Sequence, residues 1–502
     1  MTGPHHEKTM HPLAEPELAR FLRVVRQELA TVIAPELTNT RSRNVLDMTA
    51  LLLDHLIVRE ERLAKLLQPH LQVQRETLSV LQRALSRAGS EPAKSLGAST
   101  QADSAHEGER AHCRVAEQLE RDIAAVLPLL GKFAEAERRE VWQAIKKAVL
   151  SESELHTAIE HEEQAIAAMD SKPQQAATEV TTERLQAYLR KRVGAGDVEV
   201  VEIAAELGGY SKDTFIVKLR GPGRPADDIV IRRDLPQGPL EESVTIEFAV
   251  LKAMHDAGVL VAEPLWVETD AAALGQPFMV VKKVPGKQPV NVKLEVAGEG
   301  GAECVRQLAQ VLAKIHSVDP RLAGVSDAEA AESTSRHILK MLDRYEGQWH
   351  RRRMGPSPVI AAAFAWMRNN IPPNLPPARI IHGDPTVRNM LFDRGQATAL
   401  LDWETWHLGD PAEDLAYSRI DVDRFMPWED YLAEYRRNGG AEIEPQRLRY
   451  WEMWVYLRGA VTSISMMDRL LVDPPPDIRP AFGGPHFTRM CVRKVADIMQ
   501  TL

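Results

Sequence analysis

The sequence predicts an α+β protein with an all-α segment in front, and three observations carry that reading. Residues 16–175 read almost wholly helical, with few Gly or Pro. After a composition shift at Asp170 to Thr182 come short β-branched runs bounded by turn residues, the pattern of strands. From about Gln288 onward helical segments return, interrupted once by a strand–turn–strand that carries closely spaced Asp and Asn residues. At 502 residues the chain exceeds what one compact core supports, so two or three domains are expected.

The stretch 1–15 is polar, holds three histidines and has no apolar core, so it is not a secretory signal and is expected to be a disordered tail. A helix follows over Glu17 to Leu37, with Pro16 as its start signal. A second starts near Thr40 and buries Val45, Leu46, Met48, Leu52, Leu53, Leu56 and Ile57 at helical spacing. Ala88 to Gly108 is rich in Ser, Ala, Gly and Glu and reads as a loop, before helices over about 109–130 and 134–169. The last contains His156 and His161 among glutamates. Their spacing is not that of a zinc helix, and they read as a solvated face.

The expected domains are a helical one over 16–175, a β-rich lobe over 176–285 and a helical lobe over 286–502. In the second, a helix near 182–192 precedes strands at 198–206, 215–219 and 229–232. Gly208-Gly209-Tyr210-Ser211 lies between the first two strands. Glycines in such a turn let backbone N–H groups approach a phosphate, which makes Gly209 and Ser211 candidate nucleotide contacts. A helix over Ser243 to Ala257, with Glu247 in its first turn, and a buried strand within Pro277 to Val284 complete this lobe.

The densest signal is Ile380-Ile381-His382-Gly383-Asp384, then Asn389 five residues on, then an apolar strand ending in Asp402. Phosphoryl transfer needs a carboxylate to orient and accept the proton of a hydroxyl, and hard oxygen ligands for Mg²⁺ on the phosphates. Asp384 suits the first task, and Asn389 with Asp402 the second. Gly409-Asp410-Pro411 then marks a helix start, with Asp410 as cap and Pro411 in the first turn.

These motifs, with Asp414-Leu415-Ala416 after them, resemble the aminoglycoside phosphotransferase and choline kinase superfamily. The resemblance implies a bilobal protein-kinase-like fold, ATP or GTP as donor and Mg²⁺ as cofactor. It implies that Arg232, at the end of a buried strand, takes the place of the phosphate-binding Lys and pairs with Glu247; Arg233, on the opposite strand face, is the competitor. It also implies that the backbone near Val281 and Lys282 passes the adenine, and that His316 is structural. Lys212, and the run Pro385-Thr386-Val387-Arg388, depart from the usual pattern.

The segments around Arg344-Tyr345, Gln348-Trp349, Trp366-Met367 and Leu401-Asp402-Trp403-Glu404 resemble one branch in particular. That branch is the kinase-like domains fused to acyl-CoA dehydrogenases, some of which phosphorylate hydroxyacyl-CoA thioesters. Arg351, Arg352 and Arg353 would suit an anionic CoA. The alternatives are a kinase of aminoglycosides or other antibiotics and a nucleotide-binding pseudokinase scaffold. The helical segment 16–175 resembles a domain of unassigned function that accompanies such chains, and is a candidate surface for homo-oligomerisation.

Composition narrows the partners. A net charge of −9 argues against a dedicated nucleic-acid binder. Cys113, Cys304 and Cys491 form neither a disulfide framework nor a zinc pattern, which fits a reducing cytoplasm. The sequence has no apolar run of the roughly 18–20 residues that span a bilayer. The expected partner is a small molecule bearing a hydroxyl.

Overall fold

The computed structural model describes residues 22–23, 25–27, 29–37, 40–89, 105–167, 180–194, 196–206, 212–234, 243–288, 300–352, 355–465 and 479–502. The expected tail 1–15, Gly209, Ser211 and Arg353 lie outside the described residues. Long helices come first: α1 (Thr40–Glu61), α2 (Leu63–Arg87), α3 (Ala105–Val126) and α4 (Glu135–Ala167). The predicted loop is therefore shorter than expected at its C-terminal end, because 105–108 already belong to α3.

Helix α5 (Thr182–Val193) starts where Thr181 accepts a hydrogen bond from the Arg184 N–H, a side-chain cap. Strands β1 (Glu199–Glu206), β2 (Lys212–Arg220) and β3 (Asp228–Asp234) follow, then α6 (Val244–Asp256), β4 (Pro264–Glu268) and β5 (Phe278–Lys282). The five strands form one antiparallel sheet in the order β1-β2-β3-β5-β4. Strand alternation sends Phe215, Val217, Ile229, Ile231, Phe278 and Val280 to one face, against Leu185 and Leu189 of α5. The sequence reading had not assigned β4, an edge strand none of whose residues is fully buried.

After the sheet come α7 (Gly301–Ser317), α8 (Thr334–Arg352), α9 (Pro358–Asn369), α10 (Ala412–Val422), α11 (Trp428–Arg437), α12 (Pro445–Ser465) and α13 (Arg479–Gln500). Between α9 and α10 lie β6 (Arg379–Ile381), the hairpin of β7 (Met390–Asp393) and β8 (Gln396–Leu400), and β9 (His407–Gly409), which pairs with β6. The hairpin turn puts Arg394 at φ 50° and Gly395 at φ 81°, the left-handed pair that matches strand twist.

The chain divides into two compact units: residues 1–176, 353–369 and 473–502 form one, and 177–352 with 370–472 the other. The first division, between residues 176 and 177, lies within the stretch where the composition shifts. The helical lobe departs from expectation, because α9 and α13 belong with the N-terminal helices rather than with the rest of 286–502. Helix α9 packs on α3, α4 and α13, and its N-terminus explains why. Glu120 of α3 accepts the Ser357 N–H at 2.5 Å; Glu152 of α4 accepts the Ser357 hydroxyl and, at 3.0 Å, the Val359 N–H. Two buried carboxylates thus satisfy orphan N–H groups at the positive end of the helix dipole.

His156 corrects a second expectation. It is not on a solvated face: its side chain is 20% exposed and its Nε2 lies 3.7 Å from Glu152. His70 is buried with it, bonded to Ser151 and Gln74, its ring 5.0 Å from that of His112.

Candidate functional site

The site is built within the second unit, starting from β3. Ile229 and Ile231 face the sheet's core, so Arg232 faces the other way, toward α6. Arg232 Nε lies 3.5 Å from Glu247 Oε1, and its Nη2 donates to Asp402 Oδ1 at 2.9 Å with Glu404 at 3.8 Å. Arg233 turns to the opposite face. There it pairs with Asp213 at 2.7 Å, donates to the Leu274 carbonyl and covers the Phe215 ring. The Arg232–Glu247 contact is the one anticipated from strand order.

Burial opposes the charge on Arg232, but Glu247, Asp402 and Glu404 together push its pKa up. For Glu247 the balance runs the other way: burial raises its pKa, against the pull of Arg232. Arg232 Nε and both Glu247 oxygens lack a hydrogen bond of good geometry, the Trp403 N–H reaching Glu247 only loosely, an unusual state for buried polar atoms.

Lys212 ties the start of β2 to the start of α6. Its Nζ donates to Asp234 Oδ1 at 2.7 Å, and the same carboxylate accepts the Ser243 hydroxyl and the Val244 N–H. The departure at Lys212 therefore has a structural role in holding the helix that carries Glu247. Val281 is buried in β5, and the Lys282 N–H already donates to the Glu263 carbonyl. A base edge read near Lys282 would have to use other main-chain groups than that N–H.

On the helical side, β6 delivers His382, Gly383 and Asp384 into a loop held from below. Asp414 accepts the N–H groups of His382 and Gly383, each at 2.8 Å, and His316 Nε2 at 3.0 Å. His316 completes its bonds with the Tyr435 hydroxyl at 2.8 Å, which is the structural part expected of it. Asp410 accepts the Ala412 N–H and is gripped by Arg447 and Trp451, so it holds the start of α10 from two residues ahead, Pro411 rather than Asp410 taking the cap position. Gly383 has φ 87°, and an added Cβ would sit 2.6 Å from the Thr405 carbonyl oxygen. No side chain fits there.

Asp384 is half-buried. Asn389 Nδ2 donates to its carbonyl at 2.8 Å and to its Oδ2 at 2.9 Å, which fixes the carboxylate and leaves the Asn389 amide oxygen free of that contact. The Tyr417 hydroxyl lies against the same carboxylate; burial pushes the phenol's pKa up and Asp384 adds to the rise. Asp402 adopts φ 68°, ψ 63°, left-handed backbone that is uncommon for a residue with a side chain. The structure thus joins Arg232, Glu247 and Asp402 in one cluster and Asp384 with Asn389 in another.

No group of three or more His, Cys, Asp or Glu among the described residues is arranged to hold a metal. Asp402 and Asn389 carry oxygens of the hard kind that Mg²⁺ takes. This small hard cation takes one or two protein oxygens and completes its octahedron with phosphates and water. Sequence reasoning gave no role to Glu404, Tyr417 or Arg458. Glu404 could have been found from its place two residues after Asp402. Tyr417 and Arg458 meet the loop only through the packing of α10 and α12.

Residues 202–451 match the family described as "Phosphotransferase enzyme family". Curated relatives include "Acyl-CoA dehydrogenase family member 10" of Mus musculus, 26% identical over 257 residues, covering 50% of this chain and 23% of that one. "Acyl-CoA dehydrogenase family member 11" of Gallus gallus is 29% identical over 215 residues, covering 42% and 26%. The chain thus spans about a quarter of the length of these relatives. Among solved structures, a macrolide 2'-phosphotransferase from Brachybacterium faecium covers 59% of this chain and 97% of its own at 18% identity, with a TM-score of 0.41.

Proposed function

Residues 202–451 belong to the phosphotransferase enzyme family, and from that premise we propose that the protein moves the γ-phosphoryl group of ATP or GTP to a hydroxyl of a small molecule. The observation that carries the proposal is Arg232, set between Glu247 on α6 and Asp402 below the catalytic loop. A guanidinium is a planar fork that can hold a carboxylate on one side and phosphate oxygens on the other. Glu247 and Arg232 would position the α- and β-phosphates, with Gly209 and Ser211 as further proposed phosphate contacts.

Asp384 would orient the acceptor hydroxyl and take its proton, with Asn389 holding the carboxylate in place. Asn389 and Asp402 would hold Mg²⁺, which when bound neutralises charge developing on the phosphates. Val281 and Lys282 lie on the strand proposed to flank the base. For the acceptor we favour a hydroxyacyl-CoA or related hydroxylated metabolite, on the similarity to the acyl-CoA dehydrogenase family members.

The test is nucleotide consumption by the purified full chain, with Mg²⁺, against hydroxyacyl-CoAs, aminoglycosides, choline and sugars. Stimulation by a hydroxyacyl-CoA with a phosphorylated product supports the acceptor class. Stimulation by an aminoglycoside alone would replace it, and no consumption with any acceptor would count against the phosphotransferase reading.

A further inference from the structure

We infer that Arg458 on α12 is a positioning residue for phosphoryl transfer, fixing the peptide plane between Gly383 and Asp384 and with it the aim of the Asp384 carboxylate. The inference rests on the role proposed for Asp384.

Arg447, Trp451, Trp454 and Arg458 are spaced four, three and four residues apart, which puts them on one face of α12. Each donates to the segment that carries or follows the catalytic loop. Arg447 and Trp451 bond Asp410, and Trp454 bonds Glu413 at 2.8 Å. Glu413 in turn meets His407, and His407 meets the Thr405 carbonyl, both at 2.9 Å. The first three donors therefore serve carboxylates at the start of α10. The fourth does something different: Arg458 Nη2 donates to the main-chain carbonyl of Gly383.

That carbonyl and the Asp384 N–H belong to the same peptide group, and the N–H donates to His382 Nδ1 at 3.2 Å. The plane is therefore gripped at both ends by side chains. Because a peptide group is rigid, turning it changes φ of Asp384 and redirects its side chain. Arg458 Nη1 also closes the space beside Gly383, 3.0 Å from where a Cβ would lie.

A neutral donor would satisfy the carbonyl at lower cost, since burying a charge without a paired carboxylate is unfavourable. Yet Arg458 is 4% exposed, and no carboxylate among the described residues stands within ion-pair distance of it. Its charge is offset by the Tyr417 ring, 4.8 Å away, whose hydroxyl lies against Asp384, and from beyond ion-pair distance by Glu413 and Asp384 themselves. The guanidinium thus reaches Asp384 by two routes, through the Gly383 carbonyl and through Tyr417.

The experiment measures Mg·ATP turnover, with water or the best acceptor, for the wild type, Arg458→Met and Arg458→Lys. Misplacing a catalytic group by about 1 Å can cost about 10²-fold. Arg458→Met should lose kcat to that order while the KM for nucleotide stays within about twofold, and Arg458→Lys should recover part of the loss. A folded Arg458→Met with near-normal kcat, or one whose kcat loss is matched by a KM rise, overturns the inference. If Arg458→Met does not fold, Arg458→Lys decides: a kcat deficit at unchanged KM supports the role, and full kcat overturns it. A wild type that turns over no nucleotide overturns the phosphotransferase reading beneath it.

Discussion

Two clusters of buried charge in the same unit are finished to different degrees. Under the loop that carries Asp384, Asp414 accepts three donors and Asp410 is held by Ala412, Arg447 and Trp451. Beside β3, Glu247 is met by the Arg232 guanidinium at 3.5 Å and loosely by the Trp403 N–H, neither with good hydrogen-bond geometry, and Asp402 sits in left-handed backbone. Completed networks make a fold rigid, whereas incomplete ones cost stability unless something else binds there. The first cluster holds the loop. The second has the chemistry to hold a ligand.

Several substitutions would break or sharpen that contrast. Asp414→Ala should have the largest effect, because it strips the loop of its anchor and leaves His316 without its carboxylate. Breaking a buried pair costs about 3–5 kcal/mol, so Tm should fall by about 10 °C, checked by thermal denaturation. Asp384→Asn should instead leave Tm near wild type while kcat drops about 10²–10⁴-fold, measured with a saturating acceptor.

A third kind of buried polar group lies in the other unit, where burial pulls the His112 pKa from 6.5 to about 4 and His70 down as well. Between those values the unfolded chain binds protons that the native histidines refuse. Stability is therefore full above about pH 6.5 and declines as pH falls toward 4. Melting curves at pH 7.5 and 5 should differ by a few degrees, and by less in His112→Gln. The smallest shift belongs to Asp402→Gly, which relieves about 1 kcal/mol of left-handed strain. Its Tm should hold or rise slightly while Mg·nucleotide binding weakens, a trade expected of a ligand-holding residue.

Much of this was legible from the chain because it is local. The five-residue step from Asp384 to Asn389 and the β7–β8 hairpin are short-range patterns; strand alternation set Arg232 and Arg233 on opposite faces, while the choice between them rested on the order of turn, strand and helix that the family resemblance implies. The membership of α9 and α13 was not legible. It depends on Glu120 and Glu152 reaching Ser357 and Val359 from more than 200 positions away. Arg458 was hidden for the same reason, since α12 is buried around most of its circumference and its donor stripe gains meaning only once Asp410, Glu413 and Gly383 lie beneath it. The solvated face read at His156 failed because its helix is buried on more sides than amphipathic counting allows.

The central claim is that the unfinished cluster at Arg232, Glu247 and Asp402 receives a magnesium nucleotide. Calorimetric titration of a non-hydrolysable Mg·nucleotide into wild type, Asp402→Ala and Asp384→Asn tests it most directly. The account predicts that Asp402→Ala weakens binding at least about tenfold, a loss of roughly 1.4 kcal/mol, while Asp384→Asn binds like wild type. Equal affinity in wild type and Asp402→Ala, or no binding to the wild type, would contradict it.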